Sequence, residues 1–168
     1  MDDTQRNTPS YLAGDRDSLA GFLQYQRETL AWKCSGLTAD QLRMRAVPPS
    51  ELSLLGLVRH MAEVEQIWFR HVVAGEPVTA HWGRREPGYY AEFDVDSADP
   101  DEAFRVWREQ CACSRATLAG AASLDSPIPW REETFTLRYV LTHMIEEYAR
   151  HNGHADLLRE CVDGATGE

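Results

Sequence analysis

Apolar residues recur at helical spacing along four long stretches of this 168-residue chain, and connections rich in proline and glycine separate the stretches. An apolar side chain every three or four residues forms one stripe on a helix, whereas little of the chain alternates with the period of two that marks a strand. Each stripe has to be buried, and packing the helices against one another is the most economical way to bury all four. We therefore predict an all-α fold, a four-helix bundle.

Capping residues locate the ends of the predicted helices. Ser53, Asp99 and either Thr134 or Thr136 can accept a hydrogen bond from a free backbone N–H group at a helix start, and glycine favours a helix end. The predicted helices run from about Asp15 to Cys34, from Ser53 to Gly75, from Asp99 to Gly120, and from Thr134 or Thr136 to Gly164.

The segment from Glu76 to about Asp99 joins the second and third predicted helices without clear periodicity, and it contains Trp82, Tyr90 and Phe93. A structureless segment of this length is uncommon inside a compact domain unless it has a function. We predict a long crossover loop that forms a wall or lid of a binding site, with room for a short extra helix or strand. A second connection, around Pro127, precedes the last helix.

The length of the chain indicates one domain with a single core. We expect this domain to span residues 15–163, between a flexible N-terminal segment, residues 1–14, and a flexible tail, residues 164–168. No apolar run approaches the roughly 18 residues of a membrane span, and the polar, acidic start lacks the features of a secretory signal. A cytoplasmic location is the expectation.

The charge and the cysteines exclude other classes of function. A formal net charge of −10 repels polyanions, and the arginines form no continuous basic stripe, so we expect no nucleic-acid partner. The four cysteines fit neither a zinc knuckle nor a dense disulfide framework, and we interpret them as reduced core thiols. Bundle helices can present an apolar outer face, and on that general ground we expect a homodimer.

The strongest functional signal lies near the C-terminus. His143, Glu147 and His151 recur at four-residue steps, and His154 follows three residues later, so one helical stripe carries four groups that can bind a metal. Partly buried imidazoles and a carboxylate cost desolvation energy, which a divalent metal would offset. His60, on the second predicted helix, can complete a three-ligand site with Glu147 and His151, because bundles build metal sites from facing helices. Three protein ligands leave a position open for water or substrate.

Two other interpretations fit the same residues. A Glu and a His four residues apart can be a solvated surface pair, and a histidine among apolar neighbours can be a hydrogen-bonded core group. A dinuclear carboxylate site would instead use the order Glu-x-x-His, but His60 precedes Glu63 and His143 precedes Glu146. The residues alone leave the choice between a metal site and these structural roles open.

Two segments of the chain, LSLLGLVRHMAEVEQIWFR and LRYVLTHMIEEYARHNGHADLLRE, resemble the DinB-like superfamily, nearest to its branch of mycothiol-dependent enzymes. The likeness implies a four-helix bundle whose metal is held by a histidine of the second helix and an (H/E)-x-x-x-H pair of the last. In this chain those positions are His60, Glu147 and His151. The Glu-x-x-x-His form is similar to that of the mycothiol-dependent maleylpyruvate isomerases, but the chain shows no counterpart of their extra C-terminal domain, so we do not expect their reaction.

The resemblance also implies a divalent metal, with zinc preferred over nickel, iron or manganese, and mycothiol or another low-molecular-weight thiol as cofactor. A thiol bound to zinc loses its proton readily, and the thiolate attacks electrophilic carbon. We therefore expect a bacterial enzyme, a metal-dependent thiol S-transferase or related hydrolase that acts on small molecules. His143 is a candidate fourth ligand or neighbour of a ligand, and His154 a candidate base or orienting group. The alternative is a non-catalytic helical protein that binds a metal or a small ligand.

Overall fold

The computed structural model describes residues 6–86 and 89–167, and the chain is mostly helical. Residues 1–5 and 168, which belong to the predicted flexible ends, and residues 87 and 88 of the predicted crossover lie outside the described residues. The α-helices are α1 (Asp15–Cys34), α2 (Ala39–Arg43), α3 (Leu54–Glu65), α4 (Pro100–Gly120) and α5 (Leu137–Asp163). A π-helix, Gln66–Val73, continues α3 directly, and Ala91–Phe93 forms a short 3-10 helix.

The predicted bounds of the first, third and last long helices are confirmed, whereas the second is α-helical only to Glu65 and π-helical from Gln66 to Val73. Ser53, Asp99 and Thr136 each accept, through a side-chain oxygen, a hydrogen bond from a backbone N–H group two or three residues later, at 3.0–3.2 Å. These bonds satisfy donors that have no partner within the first helical turn. The last helix ends at Gly164, whose φ of 77° is the left-handed conformation that glycine adopts without strain.

Two short pairs of strands correct the purely helical prediction. β1 (Arg84–Glu86) pairs antiparallel with β2 (Tyr89–Tyr90) inside the predicted crossover, and β3 (Pro127–Trp130) pairs antiparallel with β4 (Glu133–Thr136) just before α5. Strands of two to four residues are too short to show a period of two, and the prolines of β3 argue against a strand unless it lies at an edge. The sequence analysis therefore left room for a short strand in the crossover but located neither pair.

The core lies between the long helices. α1 packs along α5 and α3 packs along α4, while α3 also contacts α5. Their apolar stripes form one continuous buried cluster, which includes Leu30, Leu55, Met61, Leu141 and Met144. In the described part of the chain, no helix combines the length and the apolar character that crossing a bilayer requires.

A buried carboxylate joins the long helices to one another. Glu65, the last residue of α3, is fully buried, and its Oε1 accepts hydrogen bonds from Arg27 Nε of α1 at 2.7 Å and from the Tyr148 hydroxyl of α5 at 2.8 Å. Its Oε2 accepts from Arg27 Nη2 at 2.8 Å and from the Ser114 hydroxyl of α4 at 2.5 Å. Burial opposes ionisation of Glu65, but the Arg27 charge and these hydrogen bonds outweigh it and hold its pKa below the usual value.

The crossover is fastened to α3 by a buried arginine. The Arg59 guanidinium donates to the backbone carbonyl oxygens of Ala91, at 3.2 Å, and Asp94, and it lies over the Trp82 ring, 4.7 Å from the ring centroid. Glu63 Oε1 accepts from the Trp82 backbone N–H at 3.2 Å. These contacts hold the short 3-10 helix of the crossover against the middle of α3.

Replacing Glu65 with Gln should lower the free energy of unfolding by about 3–5 kcal/mol, because the Arg27 charge would stay buried without its counter-ion. Urea unfolding followed by circular dichroism measures the change. The matched control is Glu109→Gln, which breaks the exposed Arg105–Glu109 pair and should cost less than about 1 kcal/mol. Equal losses in the two variants would contradict a structural role for the buried pair.

Candidate metal centre

The three predicted ligands lie together in the folded chain. His60, from the middle of α3, and Glu147 and His151, from neighbouring turns of α5, each offer one nitrogen or oxygen atom, and these atoms lie within 4.8 Å of one another. The rings of His60 and His151 are 4.8 Å apart between centroids, and His151 Nε2 is 3.5 Å from Glu147 Oε2. Their side chains are 21%, 26% and 12% exposed for His60, Glu147 and His151, so the group is partly buried but open to solvent on one side.

The position of the group follows from which side chains of α5 face the core. Met144 and Tyr148 are fully buried. Successive helical residues are rotated by about 100°. Glu147 directly precedes the buried Tyr148 and His151 follows it by three residues, so both side chains lie at the flank of α5 that borders α3. The spacing of four residues then puts the carboxylate and the imidazole one above the other.

The crossover supplies a partner for His60. His60 Nδ1 lies 3.3 Å from Glu92 Oε1, and the Phe93 ring stacks on the imidazole with centroids 5.3 Å apart. Because an ionised carboxylate can only accept, this contact favours the tautomer of His60 with its proton on Nδ1, in which the lone pair of Nε2 is free for a ligand bond. The sequence analysis did not identify Glu92, since the crossover has no periodicity that would show which residue faces α3.

His151 also has a histidine neighbour. Its Nδ1 lies 3.3 Å from Nδ1 of His154, one turn later in α5. Burial, together with the nearby His60 and His154, lowers the pKa of His151 to about 4. The imidazole is therefore neutral near pH 7, and a proton on Nδ1 donated to His154 would leave Nε2, which faces Glu147, with its lone pair.

His143 lies at the opposite end of the stripe. Its Nε2 is 3.6 Å from Glu147 Oε1, and its Nδ1 is 3.6 Å from Glu146 Oε2. Ligand atoms of these three residues also lie within 4.8 Å of one another, so Glu147 is shared between two possible groups of donors. The Trp68 ring packs against the imidazole with centroids 4.6 Å apart. His143 is thus next to the candidate centre but in contact with its carboxylate rather than with its imidazoles.

The donors fit a divalent transition metal. Two imidazoles and one carboxylate are ligands that zinc, nickel, iron and manganese accept, and a second carboxylate behind one imidazole is the arrangement that fixes the ring of a metal-bound histidine. A partly exposed side leaves room for a further ligand.

The cysteines differ from the interpretation that all four are core thiols. Cys34 and Cys111 are buried, and burial raises the pKa of each thiol to about 12, so both stay protonated. Cys113 and Cys161 are exposed, because their helices turn these positions away from the core. The two buried thiols are poor nucleophiles.

Comparison with known proteins assigns the family. The chain matches the family model described as mycothiol-S-transferase over residues 18–164, which is most of its length. This is a DinB-like family, so the resemblance inferred from the two helical segments is confirmed. The comparison with curated proteins gives no match.

The metal-free protein should lose stability as the pH falls from about 6.5 to about 4. His151 has a pKa of about 4 in the folded chain and 6.5 as its ordinary value, so in this window the unfolded chain binds a proton that the folded chain does not. Urea unfolding with a chelator present, at a series of pH values, measures the loss.

The comparison variant is His151→Gln, which removes the titrating group and should show a smaller loss across the same window. His81→Gln, at an exposed histidine, should keep the pH dependence of the unsubstituted protein. If His151→Gln and the unsubstituted protein lose stability equally, protonation of His151 does not oppose folding.

Proposed function

This chain belongs to the mycothiol-S-transferase family, and we propose that it is a metal-dependent enzyme that transfers a low-molecular-weight thiol, mycothiol or a related compound, to small electrophilic molecules. The observation that carries the proposal is the meeting of His60, Glu147 and His151, which offer donor atoms within 4.8 Å of one another. The family supports a mycothiol-related transferase activity, and the donor set supports the metal.

The proposed scaffold is a four-helix bundle made of α1, α3 with its π-helical continuation, α4 and α5. The packing of α1 along α5 and of α3 along α4 supports it. We propose residues 15–163 as its single domain. Residues ahead of α1 contact that helix, since the Arg6 guanidinium lies 4.4 Å from the Trp32 ring centroid. The homodimer and the cytoplasmic location remain predictions from the sequence.

In the proposed site, His60 and His151 hold the ion through their Nε2 atoms and Glu147 holds it through a carboxylate oxygen. When bound, a divalent metal supplies a positive charge that favours the thiolate form of a small thiol near neutral pH. Glu92 accepts the Nδ1–H of His60, and His154 accepts the Nδ1–H of His151. Each of these hydrogen bonds fixes the histidine ring in the orientation that points its Nε2 lone pair at the ion.

The rest of the reaction needs only proximity and a proton acceptor. The thiolate sulfur forms a bond to the electrophilic carbon while the bond from that carbon to the leaving group breaks, and the leaving group takes the electron pair. We assign the thiol proton to His143, whose Nε2 lies beside the Glu147 carboxylate. Phe93, stacked on His60, shields one side of the site from water.

Protein purified without chelator should contain about one equivalent of divalent metal per chain, and His151→Ala should lose most of it. Glu92→Gln should weaken metal binding by about 10-fold to 100-fold, because it removes the charged acceptor behind His60. Elemental analysis gives the stoichiometry, and competition with a chelating dye gives the affinity. His81→Ala, at an exposed histidine, is the control that should keep its metal. Equal metal contents in His151→Ala and the control would contradict the assignment.

The metal-loaded protein should conjugate mycothiol to an alkyl halide, and His151→Ala or chelation should reduce the rate by about 100-fold. Mass spectrometry of the product and release of halide measure the reaction. Stoichiometric metal without product, tested with several small thiols, would contradict the transferase and favour a protein that binds a metal or a small ligand without turnover.

A further inference from the structure

A row of aromatic side chains leads from the β3–β4 hairpin toward the candidate metal centre. The Trp130 and Phe135 rings are 6.2 Å apart between centroids, Phe135 and Tyr139 are 5.4 Å apart, and Trp68 lies 5.5 Å from Phe135. We call these four residues the aromatic row. His143 closes its inner end, with its ring 4.6 Å from Trp68 and parallel to Tyr139 within 8°.

The aromatic row remains accessible in the folded chain. Tyr139 is 52% exposed, and Trp68, Trp130 and Phe135 are each only partly buried. An aromatic side chain has roughly 150–250 Å² of surface in all, and only part of each ring in the row is exposed. A stable protein interface needs roughly 800 Å² from each partner, so this surface fits a small molecule better than a second protein.

The inner end of the row reaches the centre itself. Tyr139, His143, Glu147 and His151 follow one another at four-residue steps of α5, and each step advances about 6 Å along the helix. His143 Nε2 lies 3.6 Å from Glu147 Oε1. A planar group lying against Trp68 and Tyr139 would therefore have its neighbouring atoms beside the donors of the candidate centre.

Charge limits the kind of ring that this surface accepts. The carboxylates of Glu146 and Glu147 lie at the inner end of the row, and the chain has a formal net charge of −10. Aromatic faces also carry negative potential, which attracts cations and repels anions. Arg131 lies over Trp130 at the outer end, with its guanidinium carbon 4.2 Å from the ring centroid, so its positive charge is remote from the centre.

We propose that the aromatic row binds the planar aromatic group of an electrophilic substrate that is uncharged or cationic. This substrate class rests on the proposed transferase function. For a benzylic halide, the thiolate sulfur forms a bond to the benzylic carbon, the carbon–halogen bond breaks, and the halide leaves with the electron pair. The thiol proton passes to His143. The row determines the orientation of the ring and hence the preference for aromatic over aliphatic electrophiles.

Direct binding tests the row independently of catalysis. The probe is 2-naphthylmethanol, which has the ring but no leaving group, titrated into the metal-loaded protein by calorimetry. Tyr139→Ser should weaken its binding about threefold to tenfold through the loss of one stacking partner. Tyr11→Ser, at a tyrosine 95% exposed in the turn before α1, is the matched control and should bind like the unsubstituted protein.

Turnover with matched electrophiles gives the second measurement. The unsubstituted protein should favour 2-(bromomethyl)naphthalene over an alkyl bromide and over the naphthalene analogue that bears a carboxylate. Tyr139→Ser should raise KM for the naphthalene substrate about threefold to tenfold relative to KM for the alkyl bromide. Equal binding of the probe by both tyrosine variants would overturn the proposal.

The outcomes also separate the row from the transferase. Probe binding that depends on Tyr139, without conjugation of any thiol, would support the aromatic row as a ligand site and contradict the proposed transferase function. Conjugation with no preference for aromatic electrophiles would contradict the role of the aromatic row in substrate binding and support the proposed transferase function. Light scattering adds a third outcome, because a dimer that Tyr139→Ser dissociates, with no loss of probe binding, would make the row an interface between copies and overturn the substrate assignment.

Discussion

The ion pair between Arg27 and Glu65 is the interaction on which the rest of the structure depends. It brings a charge of α1 and a charge of α3 into the core, and Ser114 of α4 and Tyr148 of α5 complete the hydrogen bonds of the same carboxylate. A buried carboxylate tolerates few arrangements of its partners, so it fixes how far each helix slides along the others. Glu65 follows His60 by five residues, and Tyr148 follows Glu147 directly. The same register that satisfies Glu65 therefore places His60 opposite Glu147 and His151.

Two connections between the long helices supply the remaining side chains of the candidate site. The crossover, held by Arg59, places Glu92 and Phe93 against the exposed side of His60. The β3–β4 hairpin places Phe135 beside Trp68, which packs on His143 at the other end of the group of metal-binding side chains on α5. The helices thus provide donors at fixed spacing, and the connections provide the carboxylate and the aromatic rings that lie around them.

Much of the helical frame could be predicted from the sequence, because period and caps are local properties. The pair formed by Glu147 and His151 follows from a spacing of four residues on one helix. The addition of His60 depended on the prediction of a bundle, in which its helix can face the last one, and the family resemblance gave the same position. Glu92 could not be predicted, since its contact depends on how an aperiodic crossover folds over α3. Nor could the Arg27–Glu65 pair, because a charged residue inside an apolar stripe gives no sign of its partner 38 residues away.

A crystal structure of the protein, with anomalous diffraction recorded at the absorption edge of the bound metal, tests the shared centre most directly. We expect one anomalous peak at about 2.0–2.2 Å from a ring nitrogen of His60, a ring nitrogen of His151 and a carboxylate oxygen of Glu147. A peak held by His143 and Glu146 instead, or a His60 ring that takes no part in coordination, would contradict the assignment of the centre to these three residues.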